Sequence, residues 1–230
     1  MRASASGAAV AGFVLAGGRS SRMGLDKALE LFCGRPLIEV ALDTLRQAGV
    51  QPAIAGARSE LSGFASVVAD TEPDQGPLAG VCAALGTISA EQAVFVSVDL
   101  PLLPVSLIAY MLGHSRITGR AVTLASVNGF AQTFPAVLGR AALPSLERSL
   151  HSGQRGCYAA FQAAAETLGE PVSILPVEVL AQSGQAAHPD ALPSAWWFLN
   201  VNSPAELARA ESVLPAFRKE AGRSERGRIA

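Results

Sequence analysis

The run FVLAGGRSSRMGLDK, Phe13 to Lys27, sets an apolar strand directly against a glycine pair and then a small, polar loop. Phe13 to Ala16 is continuous apolar sequence. Gly17-Gly18 follows, then Arg19 and Arg22, and the run closes on Gly24-Leu25-Asp26-Lys27. Glycine lets backbone approach an anion closely, and consecutive N–H groups form a nest for phosphate oxygens. Arg22 and Lys27 would add charge-assisted bonds to the same oxygens. The spacing excludes two familiar phosphate loops. Five residues separate Gly18 from Gly24 and no Lys follows directly, so this is not a Walker A loop. Arg19 and Arg22 stand where a dinucleotide fingerprint needs glycine.

Working outward, strand and helix patterns alternate, which predicts an α/β domain: one mainly parallel, Rossmann-like sheet with helices on both faces. Ala11–Ala16, Pro52–Ala55, Ser66–Ala69, Ala93–Val98, Ala121–Ala125, Thr133–Leu138, Val172–Leu175 and Trp197–Leu199 read as strands. Pro36–Gln47, Leu78–Leu85, Val105–Leu112, Leu143–Leu150, Tyr158–Leu168 and Pro204–Leu214 read as helices. Ser203-Pro204-Ala205-Glu206 is a capping box with proline at the first helical position. The stretch 182–194 is a polar, proline-bearing loop, and the charged, unpatterned end reads as a disordered tail. With no linker or repeat, one domain is expected over 8–216, with the tail at 217–230.

Composition narrows the class. Half of the 230 residues are hydrophobic and 16% are charged, which suits a globular core. A formal net charge of −1 argues against nucleic acid as a partner. The three cysteines, Cys33, Cys82 and Cys157, lack metal-ligand spacing and a disulfide framework, so they read as small buried hydrophobes in a reducing cytoplasm. The opening MRASASGAAVAGFVLAGG carries one basic residue before small apolar ones, but its apolar part is the strand that feeds the loop. No apolar stretch is long enough to span a bilayer, so a cytoplasmic protein without a membrane partner is expected.

Three further stretches carry chemistry. Asp99 ends the most apolar strand, in VSVDLP, where open α/β sheets bind ligands. A turn-forming Asp before proline is the competing reading. Beside a phosphate loop the metal role weighs more, because Mg²⁺ is held by one or two carboxylates plus substrate phosphates. Asp70 has the same placement and precedes Gly76-Pro77-Leu78-Ala79-Gly80, a tight turn that opens a helix and suits an anion equally well as it suits a plain turn. Asn200 and Asn202 would share one side of an extended segment, able to bind metal, phosphate or each other, or to form a polar turn. His114, His151 and His188 sit in unrelated contexts and read as surface residues; Trp196-Trp197 reads as packing. Glu72 and Asp74 read as a solvated acidic loop, and Gly153-Gln154-Arg155-Gly156 as a basic turn that could equally touch an anion.

Together these motifs resemble the molybdenum cofactor guanylyltransferases of the nucleotidyltransferase superfamily. The pattern L-A-G-G-x-S-x-R-M-G-x-D-K matches at Leu15, Ala16, Gly17, Gly18, Ser20, Arg22, Met23, Gly24, Asp26 and Lys27, and GPLAG and FLNVNSPAEL resemble the family's later motifs. The resemblance implies a nucleotide-diphospho-sugar transferase type of fold. It implies transfer of GMP from GTP to the phosphate of molybdopterin, with pyrophosphate leaving. Nucleotide contacts would come from Leu15, Ala16, Gly17, Gly18, Lys27, Asp70, Gly76, Pro77, Leu78, Gly80 and Asp99. Arg22, Lys27 and Asp99 would be catalytic. Asp99 would hold Mg²⁺ with Asn202 and, less directly, Asn200. Protein partners implied by the resemblance are molybdoenzymes or their chaperones.

The chain also departs from that pattern. The family's second strand normally ends in a motif with asparagine; here Ile54-Ala55-Gly56-Ala57-Arg58 has none, which weakens strict guanine selectivity. Two rivals stay open. One is a sister nucleotidyltransferase that moves CMP to the same cofactor or a nucleotide to a sugar or polyol phosphate. The other, open because fold does not fix function, is a non-catalytic nucleotide-binding or partner-docking protein; the joint presence of Lys27 and Asp99 argues against it, since a mere binder needs no metal-bridged triphosphate.

Overall fold

Successive side chains of the strand Val10–Leu15 point to opposite faces of a sheet, and both faces are buried. Val14 enters one core layer; Phe13 and Leu15 enter the other. That is why the strand reads as unbroken apolar sequence instead of an alternating one. The structure is a computed structural model and describes residues 10–16, 26–70, 75–154 and 156–214. The expectations placed on Gly17, Gly18, Arg22 and the rest of Gly17 to Leu25, on Glu72 and Asp74, on Arg155 and on the tail 217–230 lie outside those residues.

In chain order the elements are β1 (Val10–Leu15), β2 (Leu31–Phe32), β3 (Arg35–Pro36), α1 (Leu37–Gln47), β4 (Gln51–Ala55), β5 (Val67–Val68), α2 (Pro77–Thr87), β6 (Gln92–Ser97), α3 (Val105–Thr118), β7 (Val122–Val127), β8 (Phe130–Gly139), α4 (Leu143–His151), α5 (Cys157–Thr167), β9 (Ser173–Pro176), α6 (Val177–Gln182) and α7 (Pro204–Ser212). Seven strands form one sheet in the order β5-β4-β1-β6-β8-β7-β9; β2 and β3 pair apart from it. β5, β4, β1 and β6 are mutually parallel, and β8 alone runs antiparallel, to β6 on one side and β7 on the other. The layer with Val14 includes Leu42 and Leu45 of α1 and Leu107 and Met111 of α3. The layer with Phe13 includes Leu78 and Leu85 of α2, Leu146 of α4 and Phe161 of α5. Helices on both faces are thus observed, as the alternating pattern predicts.

Two local features shape the site. β1 leads to β4 and β5 on one side, and the chain then returns to place β6 on the other side of β1. This reversal makes the carboxyl ends of β1 and β6 the switch point at which open α/β sheets form a crevice. In β8, Leu124 faces Ala136 but the next residue, Ala125, faces Gln132. Thr133, Phe134 and Pro135 are therefore extra residues, a bulge that redirects the strand beside the end of β6.

The structure corrects several sequence expectations. Trp197–Leu199 is not a strand: a 3-10 turn, Ser194–Trp196, leads into it. Trp197 is 1% exposed and its indole N–H donates to the Leu192 carbonyl at 2.9 Å, so the apolar trio plugs a core instead of extending a sheet. A short apolar run carries no periodicity that separates these outcomes. α3 continues to Thr118, because Ser115 is buried with its hydroxyl donating to Gln92, and Gly119 supplies the left-handed cap at φ +67°. The loop after Gln182 is partly core: Ala186 and Leu192 are buried, and so is the His188 side chain, which is not at the surface as expected.

Candidate functional site

The site is built at the crevice between β1 and β6. Val98 N–H donates to the Leu15 carbonyl at 3.2 Å, which extends the pairing one step and brings Asp99 beside the end of β1. Asp26 opens a short 3-10 turn, Lys27–Leu29, its carboxylate accepting from the Ala28 N–H at 3.0 Å. Lys27 is therefore launched from a capped turn. Its Nζ donates to Asp99 Oδ2 at 2.9 Å and to Asn202 Oδ1 at 2.6 Å. One ammonium thus joins three motifs that the sequence separates by 72 and 175 positions. The side chains of Lys27 and Asp99 are 15% and 19% exposed, so the pair is shielded but open to a ligand.

Asn202 is placed by two ties. The Val201 N–H donates to the Asp99 carbonyl at 3.0 Å, which pins the turn against the end of β6. The Asn202 N–H and the Ser203 hydroxyl both donate to Glu206, at 2.7 and 3.0 Å, while Ser203 Oγ accepts from the Glu206 N–H. The capping box read from sequence thus also orients a site residue. Asn200 is exposed and does not share the Lys27 contact; it lines a cavity of about 240 Å³ with Ser97, Asp99, Leu100, Gln132, Thr133 and Phe134. The expectation that both asparagines lie on one side of a strand fails with the strand itself. The β8 bulge supplies Gln132 to Phe134, and nothing local in the sequence marks it.

On the other side of β1, Asp70 follows β5 by two residues. Its Oδ1 is buried with no hydrogen-bond partner among the described residues, and burial pushes its carboxyl above the ordinary aspartate range. It sits over the first turns of α2, where a Cβ on Gly80 would lie 3.2 Å from Asp70 Oδ1. Gly76 opens that helix at φ +77°, a conformation that favours glycine, and Pro77 takes the first helical position. Gly76 and Pro77 are exposed, whereas Leu78, Leu15 and Ala16 are buried. Those three would offer a ligand their backbone only.

Sequence reasoning missed one functional candidate, Arg58. It is 6% exposed, its Nη1 donates to the Ala16 carbonyl at 2.7 Å, its Nη2 to the Asp26 carboxylate and its Nε to Glu60 at 2.7 Å. The available signal was an arginine just past the carboxyl end of a strand, in the stretch noted only for lacking asparagine.

A divalent cation is tested by the same geometry. Asp99 Oδ1 is buried and has no hydrogen-bond partner among the described residues. Hard cations of the Mg²⁺ type take such oxygens and complete their shell with phosphates and water. No group of three or more His, Cys, Asp or Glu residues that could cage a metal occurs among the described residues. The donor set therefore suits an ion that arrives with a phosphate ligand. No helix among the described residues is long and apolar enough to cross a membrane.

Known proteins share this fold. Residues 12–171 match the model of the MobA-like NTP transferase domain. The chain belongs to that family. A probable molybdenum cofactor guanylyltransferase of Haloferax mediterranei is 30% identical over 213 residues, 88% of this chain and 93% of that protein. A molybdenum cofactor guanylyltransferase of Xanthomonas euvesicatoria is 47% identical over 107 residues, 46% of this chain; the match spans 54% of that protein's length. The solved structure of molybdopterin-guanine dinucleotide biosynthesis protein A from Archaeoglobus fulgidus superposes with a TM-score of 0.71 at 23% identity, covering 89% of this chain and 98% of that one. The family's fold is the α/β nucleotidyltransferase fold described above, and Lys27, Asp70, Gly80 and Asp99 all lie within the matched span.

Proposed function

We propose that this MobA-like NTP transferase moves GMP from GTP to the terminal phosphate of molybdopterin, releasing pyrophosphate and forming the guanine dinucleotide cofactor. The observation that carries the reading is the Lys27 ammonium held between Asp99 and Asn202 at the switch-point crevice. An ammonium has three donors, and two are accounted for. Among the described residues the third has no partner, which leaves it for a phosphate oxygen in this reading.

The chemistry asks little beyond positioning and charge. A phosphate monoester is already an anion, so its oxygen attacks the α-phosphorus without a general base. One P–O bond forms there while the bond to the β-phosphate oxygen breaks, and the pyrophosphate departs with that electron pair. Holding two anions in line and neutralising the developing charge is the whole task. Lys27 supplies fixed positive charge, joined in this reading by Arg22 and by the N–H groups of Gly17 and Gly18. Asp99, with Asn202 beside it and Asn200 further out, would hold the divalent cation, Mg²⁺ in this reading; when bound, that ion neutralises charge on bridging phosphate oxygens. Asp70 and the Gly76–Gly80 turn would face the guanosine. The cavity on the β8 side of Asp99, with Gln132 and Asn200 on its wall, would take the acceptor.

The guanine assignment is tested by thermal shift with GTP, CTP, ATP and UTP at one Mg²⁺ concentration, since a bound ligand stabilises by mass action. GTP should give the largest shift, and GMP transfer to molybdopterin should match pyrophosphate release one to one. Equal shifts with CTP and GTP would move the assignment to cytidylyl transfer. No nucleotide response would leave a docking protein without catalysis.

A further inference from the structure

We infer that Arg58 is a positioning residue that ties Ala16, at the end of β1, and Asp26 to one buried guanidinium and so sets where Lys27 stands. This inference rests on the nucleotidyl-transfer reading and deepens it. Ala16, the last described residue before the loop, accepts from Arg58 Nη1 at 2.7 Å, and its N–H donates to the Ala55 carbonyl at 3.3 Å. Asp26, the first described residue after the loop, takes Arg58 Nη2 on one carboxylate oxygen and the Ala28 N–H on the other. Lys27 is the next residue and reaches Asp99 and Asn202. The chain of contact runs from Arg58 through Asp26 to the turn that carries Lys27.

Only arginine fits this task. The planar guanidinium presents donors in a fixed fork, and here all three nitrogens are engaged, with Glu60 on Nε. Asp26 and Glu60 compensate the buried charge. Gly56, at φ +135°, turns the chain between the end of β4 and Arg58, in a region that L side chains rarely adopt. The stretch that lacks the family's asparagine thus supplies a residue that joins Ala16 to Asp26. Lysine at this position would keep the charge but could not bond the carbonyl and both carboxylates together.

The test compares GTP and GMP binding by calorimetry, with Mg²⁺, for the wild type, Arg58→Lys and Asp26→Asn. GMP lacks the β- and γ-phosphates, so it reports on the base, ribose and α-phosphate contacts. Both variants should lose about tenfold in GTP affinity, the scale of one charged hydrogen bond, and keep GMP affinity within about twofold. Their kcat should fall by up to about a hundredfold, the scale of a misplaced reacting group. Equal losses for GTP and GMP, or no loss for either, would overturn the inference and leave Arg58 a fold residue. Should Arg58→Lys fail to fold, Asp26→Asn decides, because it leaves Arg58 its bonds to Ala16 and Glu60. A wild type that binds GTP no better than GMP would instead overturn the nucleotidyl-transfer reading, and this inference with it.

Discussion

Replacing Lys27 by Ala removes a cation from a site that keeps its anion. Asp99 would retain one oxygen that is buried without a partner and lose the donor on the other. At 2.9 Å, with the two side chains 15% and 19% exposed, the pair is neither a surface ion pair nor fully enclosed. A fully buried charge left alone costs about 3–5 kcal/mol, and a surface pair about 0–1 kcal/mol. Water entering the vacated space sets the expected loss between these, at about 1–3 kcal/mol. For a domain of this size that lowers Tm by roughly 2–12 °C. Activity should fall far more, by about a hundred- to a thousandfold in kcat, because a fixed charge near the reacting phosphates is lost. Differential scanning fluorimetry and a GMP-transfer assay on one preparation, well below Tm, measure both. The companion double variant, Lys27→Ala with Asp99→Asn, should be no less stable than Lys27→Ala alone, since it neutralises the stranded carboxylate. A coupling of at least about 0.5 kcal/mol is expected from residues in direct contact. Additive stabilities, or a well-folded Lys27→Ala protein with normal turnover, would refute the reasoning.

Asp70→Asn should raise Tm at neutral pH and weaken GTP binding. Its carboxyl is held above the ordinary range by burial, so ionising it costs stability as pH rises through the folded-state value; the gain in the variant should vanish below about pH 3.9, where both states are protonated. Gly80→Ala should leave Tm unchanged or raised, because helix propensity gains about 1 kcal/mol and Asp70 Oδ1, 3.2 Å from the new Cβ, has no hydrogen bond holding it in place. The same displacement should cost several-fold in GTP affinity, and unchanged affinity would remove Asp70 from the nucleoside contacts. His188 is held below the usual histidine range, chiefly by burial and against the pull of Asp190, so its contribution is present above about pH 6.5 and is lost as pH falls from there through the lower folded-state value. His188→Gln should therefore flatten the fall in Tm between about pH 7 and pH 5.

What the chain displays openly is what is local. The strand before Gly17, the core strand before Asp99 and the capped start of α7 each rest on neighbours within a few residues. Periodicity and caps therefore read them correctly. Lys27 and Asp99 were visible as residue types at strand and loop ends, and Asn202 as a polar residue in a turn. Their meeting on one ammonium was not visible, since it depends on a backbone tie from Val201 to Asp99. Arg58 was hidden for the same reason. A charge two residues past a glycine looks solvated until the tertiary fold buries it to 6%. Trp197–Leu199 shows the opposite error, in which aromatic character alone suggested a strand and packing decided otherwise. The bulge in β8 left no trace either, because a register shift is a property of two strands and not of one.

In the proposed reaction the sheet would let donor and acceptor be kept apart with few residues. β1, β4 and β5 are parallel, so the carboxyl ends of β1 and β5 lie on the same edge, with Asp70 and the Lys27 turn on one flank of Asp99. A further parallel strand beyond β6 would bring another such loop to that edge and close the crevice. β8 is antiparallel instead, so its beginning lies beside the end of β6. Pairing with β6 runs from Gly139 to Ala136 and ends where the bulge begins. The three extra residues carry the strand aside and leave the cavity of about 240 Å³ open on the far flank of Asp99. Two anions that repel each other can then approach one carboxylate and one ammonium from opposite sides. Repulsion between unit charges in a partly shielded site is several kcal/mol at about 4 Å, so separation until the reacting oxygens align is worth more than any single added contact. The antiparallel strand and its bulge are, on this argument, as much part of the site as the glycine loop that announces it.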